Sequence, residues 1–221
     1  MKKLLPRLAL ILLTGGTLLL IVGLALGAQT NVSFSRGFRL THSAQHEIDT
    51  TFSGFSSISA HVGISSITVE HGPEYRVTGH YGGHTLEVDL TDDTLQIASR
   101  SRGISLPFGP FEHQGGHIVI TVPETSSLDR VALYTGVGSI TLRNVSFTTL
   151  SLESGVGDVM VDVIGQASGF VYNISTGIGR ASAGGAQSSG LGGSLQQRPN
   201  NPLGTIYASS GVGDVTVRFS E

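Results

Sequence analysis

From His46 onward the chain alternates with a period of two: Ile48, Thr50 and Phe52, then Ile58, Ala60 and Val62, then Ile67 and Val69. A period of two marks half-buried β-strands. Further strands are predicted at about 75–80, 85–90, 94–98 and 117–122, the last stopped by Pro123. Beyond residue 28 no segment places apolar residues at i, i+3, i+4 and i+7 over three turns, so helix is expected to be nearly absent. Two stretches break the alternation. Residues 99–116 read as a loop carrying Phe108 and Phe111, and residues 184–204, rich in Gly, Ser, Gln, Asn and Pro, read as a flexible insertion.

One phrase recurs five times within this alternation: at Gly63-Ile64-Ser65, Gly136-Val137-Gly138, Gly155-Val156-Gly157, Gly177-Ile178-Gly179 and Gly211-Val212-Gly213, each followed by a short alternating run. A unit that recurs builds its core by stacking on its neighbours. The expected architecture is therefore an all-β solenoid, with the paired glycines as structural corners. The runs after the corners send Ile140/Leu142, Val159/Val161, Ala181/Ala183 and Val215/Val217 inward, in columns about 4.8 Å apart. Ala181 and Ala183 leave volume that Phe170 or Tyr172 has to fill. Read in chain order, the position after the second glycine gives Ser139, Asp158, Arg180 and Asp214, which predicts a charge ladder with Arg180 between Asp158 and Asp214. On that reading Arg180→Glu lowers the melting temperature more than Arg143→Glu. The last turn, near Phe219, is expected to leave an open sheet edge.

The N-terminus follows a different rule. Lys2, Lys3 and Arg7 precede an uncharged apolar stretch from Leu8 to Ala28, 21 residues long and roughly 31 Å as a helix, enough to span a bilayer core. The positive-inside rule makes residues 1–7 a cytoplasmic tail, 8–28 a transmembrane signal anchor, 29–45 a juxtamembrane spacer and 46–221 an extracytoplasmic domain. The competing reading is a cleaved signal peptide ending near Gly27 or Ala28. Its apolar core would exceed the usual 7–15 residues or so. Both readings put the domain outside the cytoplasm, with the membrane as partner only through residues 8–28 in the first.

Composition narrows the chemistry. Of 13 basic residues, removing Lys2, Lys3 and Arg7 leaves 10 Arg against 16 acids, a net of −6 beyond the anchor. Such a surface does not suit nucleic acid. The chain has no Cys, which excludes disulfides, thiolate metal sites and thiol nucleophiles. The Gly-Val-Gly-Asp phrase lacks the doubled glycine of a calcium roll, and no helix follows it to make a dinucleotide site. His80-Tyr81-Gly82-Gly83-His84 and His113-Gln114-Gly115-Gly116-His117 are matching phrases. Two short hairpins would set His80 against His84 and His113 against His117, a zinc-ligand geometry if the rings converge; the ordinary reading is two solvated cross-strand pairs. No cofactor is expected. The acids from Glu124 to Glu221 are scattered without any Lys, so paired carboxylates for glycoside chemistry are not evident.

Ile120-Thr121-Val122-Pro123-Glu124, the run Leu128–Leu133 and the Gly-Val-Gly copies that follow resemble a bacterial family of candidate adhesin domains of unknown function, membrane-anchored proteins made of β-strand repeats. The resemblance covers roughly 46–221 and is strongest over 117–217. It implies a right-handed single-chain β-helix and a non-enzymatic cell-envelope role that binds an envelope protein or glycan or acts as a scaffold, in some members tied to envelope-stress sensing. It supplies no catalytic residues. The alternative from another class is a β-helix carbohydrate-active enzyme, a polysaccharide lyase or glycosidase.

Overall fold

The computed structural model describes the backbone of residues 30–34, 38–41, 45–82, 85–100, 104–108 and 115–220. The expected tail at 1–7 and anchor at 8–28 lie outside the described residues. Among those described, no helix is long and apolar enough to cross a membrane. The fold is all-β, with one 3-10 turn at Ala167–Gly169.

The chain divides into two units. The smaller is a three-stranded antiparallel sheet of β1 (Thr30–Phe34), β2 (Phe38–Thr41) and β8 (Ile104–Phe108) in the order β2-β1-β8, with Val32 opposite both Leu40 and Leu106. This corrects two expectations, since the spacer at 29–45 and the loop at 99–116 each contribute strand. Each strand here is only four or five residues long, and β8 lies some seventy positions from its partner, so no local period reveals the pairing.

The larger unit, residues 45–100 and 114–221, is built from rungs: a strand, a sharp corner and a second strand. β4 (Ser57–His71) runs through its corner unbroken, whereas β10 (Ser127–Val137) with β11 (Ile140–Arg143), β12 (Ser146–Val156) with β13 (Val159–Ile164), and β16 (Gly204–Val212) with β17 (Val215–Ser220) break at Gly138, Gly157 and Gly213. β14 (Phe170–Ala183) forms another unbroken rung. β7 (Thr94–Arg100) and β9 (Gly116–Val122) flank β4, one on each arm. All of these pair parallel and in register. On the first arm the order is β7-β4-β10-β12-β16-β14; on the second it is β9-β4-β11-β13-β17-β14.

Register turns the two-residue period into columns. Leu95, Ile58, Val131, Leu150, Ile206 and Tyr172 align on the first arm, as do Ile118, Ile67, Ile140, Val159, Val215 and Ala181 on the second; every one is buried, within a single core cluster. The inward direction expected for Val159/Val161 and Val215/Val217 is what the structure shows. Phe170 and Tyr172 are buried. Both also contact Phe219, at centroid distances of 5.7 and 6.2 Å.

Rung order departs from chain order. The corners run 63, 136, 155, 211, 177 in space, because β16 and β17 insert between the third rung and β14. The chain places β14 on the outside, folds back along it as β15 (Ala186–Gln197), antiparallel from Ala183–Ala186 to Tyr172–Gln197, and then returns to fill the gap. The stretch 184–204, expected to be a flexible insertion, is thus largely a paired strand. β17 lies between β13 and β14 over Val215–Val217, whereas Phe219 itself pairs only with Val163 of β13. At the other end β6 (Thr85–Thr91) covers β7, β5 (Tyr75–Gly82) covers β9, and β3 (Gln45–Phe52) covers β5, all antiparallel.

The stack tolerates a side chain at one corner glycine and not at another. A Cβ on Gly155 would lie 2.5 Å from the backbone oxygen of Gly136, whereas one on Gly63 meets only the Ser99 hydroxyl at 3.6 Å. Gly155→Ala is expected to cost about 1–3 kcal/mol through overpacking against a backbone that cannot yield, and Gly63→Ala to be close to neutral; chemical denaturation of the two variants measures the difference.

A second outcome concerns β3. Arg76 on β5 donates Nε and Nη2 to the Asp49 carboxylate at 2.7 and 2.6 Å, and this hydrogen bonding holds the Asp49 carboxyl below its usual value. Because the folded-state value is the lower one, the pair's contribution is complete above the ordinary aspartate range and fades as pH falls through the depressed value. The protection of β3 amides, measured relative to their intrinsic exchange rates, is expected to weaken in that acid window, and Asp49→Asn to lessen that pH dependence.

Candidate interaction surface

The corners are where this fold needs most from its sequence. A bend interrupts the inter-strand ladder, and every backbone N–H and C=O left inside needs a partner. At the second corner position the N–H reaches across to the next rung: Gly138 donates to the Val156 carbonyl at 2.9 Å, Gly157 to Val212 at 2.9 Å and Gly213 to Ile178 at 3.0 Å. The carbonyl of that same position is satisfied by a side chain. Thr135 Oγ1 donates to Ser65 O at 2.7 Å, Ser154 Oγ to Gly138 O at 2.8 Å, Ser210 Oγ to Gly157 O at 2.7 Å and Thr176 Oγ1 to Gly213 O at 2.7 Å.

These four hydroxyls are buried and form one column inside the first arm, continuing from Val62. The sequence reading passed over them. Their signal was present, because a Ser or Thr stands immediately before every Gly-x-Gly copy. The paired glycines at 136/138, 155/157, 177/179 and 211/213 are indeed at the corners, and the second of each pair has φ between +144° and +151°. That backbone region favours glycine.

The position after the corner carries a ladder of another kind from the one expected. Ser66 Oγ accepts from Ser139 N at 3.2 Å, Ser139 Oγ from Asp158 N at 3.3 Å, Asp158 Oδ1 from Asp214 N at 2.8 Å and Asp214 Oδ1 from Arg180 N at 2.8 Å. Asp214, not Arg180, is the middle member. Arg180 takes part through its backbone N–H, and its guanidinium pairs with no carboxylate among the described residues. The predicted Asp158–Arg180–Asp214 charge ladder is thereby corrected: these side chains fix register by accepting backbone hydrogen bonds.

The charge ladder exists elsewhere. Glu70, Arg143, Asp162 and Arg218 align on the outside of the second arm, with Arg143–Glu70 at 2.8 Å and Arg218–Asp162 at 3.6 Å. Alternating sign on adjacent strands follows from parallel register, which sets each residue beside its equivalent.

The histidines part company with their predicted pairing. β5 and β6, which flank the first phrase, do not pair with each other: β5 pairs with β9 and β3, and β6 with β7. His80 instead lies across from His117. His84 and His113 lie outside the described residues, and among those described no three His, Asp or Glu side chains are grouped to hold a metal. Asp158 and Asp214 stand on neighbouring rungs at an exposed corner, where each carboxylate accepts a backbone N–H. A shallow concavity lined by Phe147, Val163, Phe170 and Leu203, with Asn144 at its margin, carries no ionisable side chain.

Beside these polar groups, the middle residue of each corner phrase presents an apolar side chain to solvent. Ile64, Val137, Val156, Val212 and Ile178, the middle residues of the five phrases, stand in register and are 45–55% exposed. Leu191 on β15 continues the line opposite Ile178 at 86% exposure. Six residues at strand spacing make a ridge roughly 24 Å long. Scattered apolar surface residues are ordinary; here six of them stand in register on neighbouring strands.

The Toastrack DUF4097 model matches residues 55–218, well over half of the chain and nearly all of the larger unit. The chain belongs to that family. Toastrack DUF4097 is a family of unknown function, in keeping with the resemblance read from the repeat phrases. No curated protein matches the chain. Among solved structures it is similar to a proposed cell adhesion protein from Clostridium sporogenes, with 12% identity, a TM-score of 0.48 and coverage of 81% of this chain and 100% of that one. It is also similar to a proposed adhesin from Bacteroides fragilis, with 14% identity, a TM-score of 0.35 and coverage of 79% and 97%. The family assignment rests on the match over 55–218.

Two variants separate the roles described above. Ser154→Ala leaves the Gly138 carbonyl buried without its donor and is expected to cost about 1–3 kcal/mol, while Ser154→Thr retains most of the stability; denaturant midpoints report both. Arg143→Glu sets like charge beside Glu70 and is expected to lower the melting temperature by a few degrees, on the order of 1 kcal/mol or less for an exposed pair. Arg180→Glu should change it less.

Proposed function

We propose that this Toastrack domain is one continuous right-handed β-solenoid, carried outside the cytoplasm by the anchor at 8–28, and that it serves the bacterial cell envelope as a non-enzymatic, adhesin-like binding or scaffold module. The observation that carries this reading is the in-register ridge from Ile64 to Leu191, an apolar line whose spacing is set by the sheet. Solenoids suit extended binding because their backbone is paired between rungs and their surface repeats. The charge of the exported part favours a protein or glycan partner over nucleic acid. No observation favours the carbohydrate-active enzyme: Asp158 and Asp214 cap backbone N–H groups on a convex corner, and Glu70 and Asp162 are ion-paired.

The test is site-specific photo-crosslinking in intact envelopes, with the probe placed in the full chain at Val156 on the ridge or at Thr216 on the outside of the second arm. A single envelope component captured from Val156 and not from Thr216, and lost in Val137→Asp, is the expected result. Equal capture from both positions, or none from either, would overturn the ridge as the binding surface.

A further inference from the structure

We infer that β15 is a self-complementary docking edge, through which two copies of this chain join antiparallel about a two-fold axis at Leu191. Among the described residues β15 has β14 as its only neighbour, so one side of its backbone lacks strand partners over both arms of the corner. Natural proteins blunt such edges with charge or proline. From Ala186 to Gln197 there is neither; Arg198 and Pro199 come immediately afterwards. The outermost strands at the opposite end are defended, β3 by Glu47 and Asp49 and β6 by Glu87 and Asp89. One end of the stack is thus closed to pairing and the other is left open.

The shape of the open edge selects its partner. β15 bends with the corner beneath it, with Leu191 at the apex opposite Ile178, residues 186–190 along the second arm and 193–197 along the first. A two-fold axis along the bisector of that corner exchanges the two arms and reverses chain direction. The result is antiparallel pairing of one bent strand with its own copy, the isologous arrangement a closed dimer requires. An unrelated straight strand would have to adopt the same bend. With Leu191 on the axis, residue 186 faces 196, 187 faces 195 and 188 faces 194, so no like charges and no aromatic side chains meet. Leu191, 86% exposed in the single chain, meets its equivalent, and the two ridges become one line.

This inference does not depend on what the ridge binds. Val156 lies three strands from the edge, so the two copies of Val156 would be seven strand spacings apart, roughly 34 Å, and crosslinks from that position cannot report on self-pairing.

The chain has no cysteine, which makes the experiment direct. Full-length chain carrying Leu191→Cys, in the membranes of the cells that express it, is oxidised mildly and run without reductant; Val137→Cys, on the ridge but four strands from the edge, is the comparison. The expected result is a covalent species of twice the chain mass for Leu191→Cys and none for Val137→Cys, together with loss of the dimer in sedimentation of detergent-solubilised Leu191→Lys chain. Leu191→Cys that remains monomeric while reacting with maleimide as fast as Val137→Cys would overturn the proposal. So would equal crosslinking of both variants, or a product whose mass is not twice that of the chain.

Discussion

The structure depends on keeping the backbone hydrogen-bonded through a bend. A strand that turns sharply tilts its peptide groups out of the inter-strand ladder, and a stack of such bends would bury a column of unpaired carbonyls at a cost of about 1–3 kcal/mol each. Here each of four carbonyls, at Ser65, Gly138, Gly157 and Gly213, receives a hydroxyl from the adjacent rung. The hydroxyl has to be short and close to the corner, which is why Ser or Thr stands directly before the glycine pair. The carbonyls also lie where a Cβ would be, so the corner excludes any other residue as firmly as the hydroxyl column requires its own.

From that constraint the remainder of the larger unit follows by register. Once corners stack on corners, equivalent residues fall into line: apolar columns inside, the Glu70–Arg143–Asp162–Arg218 series outside the second arm, and side-chain acceptors from Ser66 through Asp214 beside the bend. The middle residue of each Gly-x-Gly phrase stands at the outside of the bend. Nothing in the corner's hydrogen bonding requires that residue to be apolar, yet it is Ile or Val in every copy. The ridge is a property added to the fold rather than demanded by it.

The two ends of the stack are closed differently. Three antiparallel strands with acidic residues finish one end, and a single uncharged strand finishes the other. The second ending also explains the out-of-order rung. By passing outward as β14, doubling back as β15 and returning as β16 and β17, the chain keeps its C-terminal strands in the interior of the ladder, where Phe219 closes the core against Phe170 and Tyr172.

Much of this was legible in one dimension because it is periodic. The inward direction of Ile140, Leu142, Val159, Val161, Val215 and Val217, the glycine corners and the all-β class all follow from a two-residue alternation attached to a repeated phrase, and local sterics enforce each without reference to the rest of the chain. The hydroxyl before each corner was equally periodic and was overlooked, because an isolated Ser or Thr beside glycine reads as turn material. What only the tertiary structure decided was which copy neighbours which. The five phrases are near equivalents, so any two can stack, and chain order is merely the simplest arrangement. The fold instead set the corner at 211 between those at 155 and 177, turned the Gly/Ser-rich stretch into a strand, paired His80 with His117, and moved the charge ladder from Arg180 to Arg143. Each of those outcomes depends on contacts between residues far apart in the chain, and these carry no local period to read.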